Sequence, residues 1–286
     1  MCKMIKLYKM YILYSCFIII ETLFITSVFD SDILSAVFLI IMFIYVDIGG
    51  ELYGRFSMGC RSMIDCDSDL SNKVNKSFEN VKNRVELKFG CYPNIKLYYI
   101  PSEQINAFSF GRNSIGITTA AMNLDNHLIE AVLAHEIAHS IYGDMFLYRI
   151  LVGNLVGAMF FIGLCNAILI GVIVFFAILL FTFTSLRYNF VTYQLSNVIL
   201  NALQKLLSGI KYISFRIGEA LIAWVSRHSE IKADKFAYIL GYGRYLILFL
   251  EKYADSSVHI PHSLTEIIYS SHPDTYKRIS ILKKLN

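Results

Sequence analysis

A near-continuous apolar run from Ile150 to about Phe183, weakly interrupted by Asn154, Gly163, Asn166 and Gly171, sets the outer limits on this chain. An α-helix needs roughly 20 apolar residues to cross a ~30 Å hydrocarbon core, so the run is expected to lie in a membrane. Two further stretches, about 11 to 29 and 33 to 48, approach the same length. Between them stand only Asp30, Ser31 and Asp32. Lys3, Lys6 and Lys9 precede the first stretch, and Arg55 and Arg61 follow the second. Basic residues accumulate on the cytoplasmic side of a bilayer, so the pair reads as a membrane hairpin with both flanks in the cytoplasm. A cleaved signal peptide fits less well, because the apolar run continues past Glu21 to Phe29 without a small-residue cleavage pattern.

The whole composition agrees: 56% of residues are hydrophobic and 17% charged, with a mean hydropathy of +0.52. A net charge of +4 without Lys/Arg runs interleaved with aromatics offers no groove for nucleic acid. The six cysteines, Cys2, Cys16, Cys60, Cys66, Cys91 and Cys165, form no CxxC pair and read as free thiols.

Between the apolar runs the chain turns polar. Leu70, Val74, Phe78, Val81 and Val85 recur at helical spacing and predict an amphipathic helix from about Asp67. Ile95 to Ile100 and Ser114 to Thr119, bounded by Pro93, Pro101, Gly111 and Arg112, predict two strands of a small sheet. A helix capped by Asp125 or Asn126 is expected to run to about Tyr142, ending at Gly143. Residues 188 to 226 mix Leu, Ile and Phe with Lys205, Lys211, Arg216 and Glu219, so a second span and an interfacial helix both remain open. The expected organisation is a transmembrane hairpin (1–48), a cytoplasmic catalytic part (49–150), a second membrane segment pair (151–226) and a second catalytic part (227–286).

The chemistry sits on the helix that ends at Gly143. His135, Glu136 and His139 form HExxH, and an i, i+4 spacing points both imidazoles from one face toward a common point. They share a stripe with Leu128, Ala131 and Val132, which predicts that they face the interior. Desolvated imidazoles and a carboxylate demand partners, and a metal supplies them. A catalytic zinc keeps one position for water and needs a third protein ligand. Glu230 is the best candidate; Asp234 shares its helix face and can orient a ligating histidine.

Four ordered blocks make the chain resemble the HtpX-type membrane metalloproteases, distant relatives of the CAAX prenyl endopeptidases. These are Asn106, Ala107 and Phe108; AHEIAH followed by Gly143, Asp144 and Met145; SRHSEIKAD; and His272 and Pro273 with Arg278. The stretch after Phe108 departs mildly, reading Ser109, Phe110, Gly111 where Ala, Thr, Gly is usual. The resemblance implies a gluzincin-like α+β fold, mainly helical, with a small sheet and about four transmembrane helices. It further implies one zinc ion on His135, His139 and Glu230, with Glu136 as base.

From the residues alone, His272 before Pro273 is equally a helix-start feature and a catalytic group. The resemblance brings His272 and Arg278 near the cleft, to stabilise an oxyanion or to organise acidic side chains. Asn106, Ala107 and Phe108 could form an edge strand that pairs with an extended substrate, or an ordinary turn. His127, His228, His259 and His262 read as surface or loop histidines. Because Glu230 must meet His135 and His139, residues 140 to 229 are expected to cross the bilayer an even number of times.

The expected function is a multi-pass zinc endopeptidase with its site facing the cytoplasm, in the inner or plasma membrane if bacterial. Its partners would be protein or peptide substrates, membrane or misfolded, and the lipid bilayer; a homo-oligomer is left open. The competing class is a catalytically silent membrane adaptor with a structural metal site. The intact Glu136 argues against it, since a structural site has no use for that carboxylate.

Overall fold

The structure, a computed structural model, describes Val37 and residues 49–183, 189–253 and 275–285, apart from some side chains in its two longest helices. The expected hairpin at 11–29 and 33–48, and His259, His262, His272 and Pro273, lie outside these residues. The chain divides into two compact units: the described residues up to Arg149 together with those from Val225 onward, and Ile150–Trp224.

The first unit is mainly helical around a small mixed sheet. Helix α1 (Gly50–Ser57) leads through β1 (Arg61–Ser62) to α2 (Ser68–Phe89). Asp67 caps α2, its carboxylate accepting from the N–H groups of Asp69 and Leu70 at 3.0 and 3.2 Å. Val74, Phe78, Val81 and Val85 form its buried stripe, as their spacing predicts. Strands β2 (Lys96–Ile100), β3 (Ala107–Ser109) and β4 (Ser114–Thr118) complete a sheet of order β1-β2-β4-β3. The β2–β4 pair is parallel and the other pairs are antiparallel. Gly116 in β4 admits no side chain: a Cβ there would lie 2.7 Å from the Phe110 ring and 2.9 Å from Ile100 Cδ1.

After a short turn of helix, α3 (Thr119–Met122), comes α4 (Asn126–Tyr142), the HExxH helix. Asp125 accepts from the His127 N–H at 2.9 Å at its start. Gly143, at φ 68°, closes its end in the left-handed conformation, its N–H bonded to the His139 carbonyl at 3.0 Å. The expected one-sided stripe is replaced by burial all round: every residue from Ile129 to Ser140 is buried. The cause is tertiary, since α4 packs against β3, β4, α2 and α7 (Gly243–Tyr253) together. Helix α8 (Thr275–Leu285) packs on α7.

Two long helices join this unit to the second: α5 (Asp144–Phe183) and α6 (Asn189–Ile239). Residues 188 to 226, ambiguous in sequence, thus belong from Asn189 onward to one helix that continues through Glu230 and Asp234. Within the second unit, Val152, Leu155 and Ile222 are buried, and a Cβ on Gly218 would stand 2.5 Å from Leu155, so small and large side chains interlock there. Farther along, Ile168, Val172, Phe175, Val198, Leu206, Ile213 and Ile217 are exposed. Among the described residues, no helix is long and apolar enough to cross a membrane. Cys60, Cys66 and Cys91 are free thiols, and half-burial pushes the Cys60 thiol up to about 11.

Candidate metal centre

Helix α4 presents His135 and His139 from successive turns, their rings nearly perpendicular at 83° and their Nε2 atoms 3.1 Å apart. Helix α6 brings Glu230 against both: Oε2 lies 3.2 Å from His135 Nε2 and Oε1 3.5 Å from His139 Nε2. All three side chains are buried, and one donor atom from each lies within 4.8 Å of the others.

The outer ring nitrogens face carboxylates. Asp234 Oδ1 stands 3.0 Å from His135 Nδ1, and Asp144 Oδ2 stands 3.0 Å from His139 Nδ1. The hydrogen bond between His139 Nδ1 and Asp144 places the ring proton there and leaves its Nε2 as a lone pair, while Asp234 meets His135 Nδ1 as a charge contact. Two ring nitrogens 3.1 Å apart beside the Glu230 carboxylate call for a proton or a metal ion between them. Tetrahedral zinc with Zn–N distances of roughly 2.0–2.1 Å holds its ligand nitrogens about 3.3–3.4 Å apart, close to the spacing seen here. The donor set therefore fits one zinc ion.

The charge balance points the same way. Arg278, from α8, donates through Nε and Nη2 to Asp234 at 2.8 and 2.7 Å, and its Nη1 lies 2.8 Å from Glu230 Oε2. Lys232 Nζ lies 3.4 Å from Asp144 Oδ1. Against these cations stand Glu136, Asp144, Glu230 and Asp234, so the cluster carries two unmatched negative charges when the imidazoles are neutral. Burial disfavours protonation of either histidine. The Glu230 charge nevertheless holds His135 above the ordinary histidine range, and the Asp144 hydrogen bond holds His139 well above it. Burial likewise opposes ionisation of Asp234, but the Arg278 guanidinium keeps its carboxyl below the usual range. The site is built to hold positive charge.

A cleft of about 100 Å³ opens beside the cluster. Glu136, His139 and Glu230 line it together with Ala107, Phe108 and Ser109 of β3, and Met145, Tyr148 and Val225 add apolar surface. Strand β3 is an edge strand. The Phe110 N–H bonds the Ser114 carbonyl and the Thr118 N–H bonds the Asn106 carbonyl, so alternation turns residues 106, 108 and 110 toward β4. The main-chain groups of Ala107 and Ser109 consequently point to the open edge. Asn106, one residue before β3, accepts the Ala107 N–H on its Oδ1 at 2.8 Å.

The sequence-expected residues thus divide. His135, His139 and Glu230 converge, with Asp234 against His135; Glu136, Ala107 and Phe108 line the cleft. Arg278 touches Asp234 and Glu230 rather than the cleft. Sequence reasoning missed the part played by Asp144 and Lys232. The available signal was a carboxylate directly after the helix-ending Gly143, within reach of the last turn. It also missed the hydrogen bond, 2.9 Å long, between Ser140 and Ser109 hydroxyls that fastens α4 to the edge strand.

Comparison with known proteins agrees with this chemistry. The model of peptidase family M48 matches residues 71–286. A protease HtpX homolog of Campylobacter concisus is 30% identical over 219 residues, covering 68% of this chain and 69% of that protein. One from Campylobacter curvus is 28% identical over 248 residues, covering 76% and 77%. Among solved structures, S. mikatae Ste24p aligns with a TM-score of 0.44 at 20% identity, over 98% of this chain and 64% of that one. The family match spans most of the chain and contains the two histidines and the glutamate that converge in α4 and α6: the chain belongs to peptidase family M48 and is a zinc-dependent metalloendopeptidase.

Proposed function

We propose that this chain is an integral-membrane endopeptidase acting on membrane or misfolded proteins in quality control, its zinc held by His135, His139 and Glu230. The observation that carries the site assignment is the convergence of the two Nε2 atoms and the Glu230 carboxylate beside a cleft that Glu136 and an edge strand also line. When bound, zinc supplies Lewis-acid activation of water and of the scissile carbonyl. Glu136 is next to a ligating histidine but outside the ligand cluster, so its carboxylate is available to take a proton from the attacking water and deliver it to the departing amine. The Ala107 carbonyl and the Ser109 main chain point away from β4 and give an extended peptide groups to pair on, a mode that holds the backbone whatever its side chains. Asn106 sets one end of that edge by occupying the Ala107 N–H. Arg278 organises Asp234 and Glu230; it is a positioning residue.

The membrane assignment rests on the apolar runs of the sequence and on the outward apolar side chains of residues 150–224. Full burial of a Val, Leu, Ile or Phe side chain is worth ~1.5–3 kcal/mol, so exposing this many to water is costly, whereas acyl chains accept them. Lys and Arg flanking the runs support a cytoplasmic position for the unit that holds the HExxH helix.

The test uses detergent-purified full chain and casein as an unfolded reporter. Zinc-loaded wild type should cut it, and Glu136→Gln should bind zinc equally while turning over about 10²–10⁴-fold more slowly, the range for loss of general acid–base help. If neither protein cuts casein or a panel of membrane proteins while both hold zinc, the silent-adaptor reading replaces this one. Membrane residence is tested by alkaline extraction: release into the soluble fraction overturns it.

A further inference from the structure

His135 is held by Asp234, which Arg278 clamps through two hydrogen bonds. The second histidine has a parallel arrangement built from different elements. Asp144 begins α5, immediately after the left-handed Gly143 that ends α4. The N–H groups of Phe146 and Leu147 bond to the Gly143 carbonyl at 3.1 and 3.3 Å, starting the new helix at once. That tight reversal carries the Asp144 carboxylate back to 3.0 Å from His139 Nδ1. Its other oxygen faces Lys232, two residues beyond Glu230 on α6. Asp144 is 9% exposed and outside the set of converging ligand atoms.

We infer that Asp144 and Lys232 form a positioning pair for His139: Asp144 holds the ring so that Nε2 faces the metal, and Lys232 holds Asp144 while tying α6 to the end of the HExxH helix. This rests on the reading of His135, His139 and Glu230 as zinc ligands. A ligating imidazole whose other nitrogen donates to a carboxylate is fixed in tautomer and orientation, and losing that partner costs 10–100-fold in metal affinity. The two halves of the device are unequal. Lys232 is partly exposed, its 3.4 Å contact with Asp144 is longer than those of Arg278, and its Nζ also lies 5.4 Å from the centre of the Tyr142 ring. Solvent screening weakens such a pair, so Lys232 contributes less than Asp144.

The experiment is a zinc titration of the full-length protein in detergent against a competing chelator, with His139→Ala, Asp144→Ala, Asp144→Asn and Lys232→Met beside wild type. Wild type should bind one zinc and His139→Ala should lose it. Asp144→Ala should bind about 10–100-fold more weakly, the range for a lost carboxylate partner. Asp144→Asn, nearly isosteric and still able to accept the Nδ1 hydrogen bond, should fall between; it carries the test if the alanine variant does not fold. Lys232→Met should lose roughly twofold to fivefold, as for a partly exposed ion pair. The visible bands of the cobalt-loaded protein should shift in both Asp144 variants, which a purely structural role would not produce. Wild-type affinity and bands in folded Asp144→Ala or Asp144→Asn overturn the inference while leaving the zinc site standing. If wild type and His139→Ala bind zinc alike, the site assignment itself falls and the inference with it.

Discussion

The two units of this chain differ in how much of their apolar surface they gather into a core. In the first unit Val74, Ile115, Ile117, Leu133 and Ile137 form a wholly buried core, while Phe56, Ile64 and Leu87 stand exposed around it. Along Ile150–Trp224, Ile168, Phe175, Val198, Leu206 and Trp224 are each more than half exposed. Leu and Ile gain the same free energy on leaving water wherever they sit, and the membrane residence proposed above is the reading that accounts for the exposed ones. The polar groups differ as well. The first unit buries His135, His139, Glu230, Asp234 and Arg278 in one mutually paired cluster, while Arg216 and Glu219 of the second unit pair at its surface at 2.8 Å.

The strongest way to break this contrast is to unpair the buried cluster. Arg278→Met leaves Asp234 and Glu230 without their shared cation and should destabilise the catalytic unit by about 3–5 kcal/mol, the range for removing one partner of a buried ion pair. Denaturant unfolding in detergent measures it, and zinc affinity should fall in parallel. Next comes a paired truncation. Leu133→Ala, in the core of α4, should cost about 2–5 kcal/mol, whereas Ile168→Ala, at an exposed position, should change detergent-state stability by no more than about 0.5 kcal/mol. An equal loss at both positions would mean that residues 150–224 bury their apolar face against protein.

Introducing charge sharpens the solvent argument. Under the proposed membrane residence, Phe175→Arg should weaken insertion by up to about 2.5–3.5 kcal/mol, the cost of an arginine at the centre of a spanning helix, read as soluble protein after alkaline extraction. The smallest effect is a pH dependence. Asp234 is held below its ordinary pKa of 3.8, so its folded form favours the carboxylate. That contribution is fully present above the unfolded-state value and is lost as pH falls through the lower folded-state value. In Arg278→Met this acid-side contribution should shrink, flattening the stability profile below about pH 4.

Much of the site was legible because its rules are local. HExxH places two imidazoles on adjacent turns, Asp125 and Gly143 bound the helix that carries them, and Glu230 and Asp234 stand one turn apart on another helix. The resemblance joined these blocks in order. What local rules cannot supply is the partner of each group. The Lys232–Asp144 contact spans 88 residues and the Arg278–Asp234 contact spans 44. Strands β1 and β3, two and three residues long, are too short to show alternation. The expected stripe on α4 gave way to burial on every side because neighbours arrive from four elements, and a sequence pattern reports one face at a time.

The sequence by itself determined that this chain carries an HExxH helix, a second segment with Glu230 and Asp234 one turn apart, and long apolar stretches, because spacing, capping and hydropathy act within a few turns. Only the tertiary structure decided that the Glu230 carboxylate meets the two Nε2 atoms, that Asp144 and Asp234 each take one histidine, and that Ala107 and Ser109 present an open strand edge beside Glu136. Those arrangements depend on how distant helices pack, and packing is settled by the whole set of buried contacts at once.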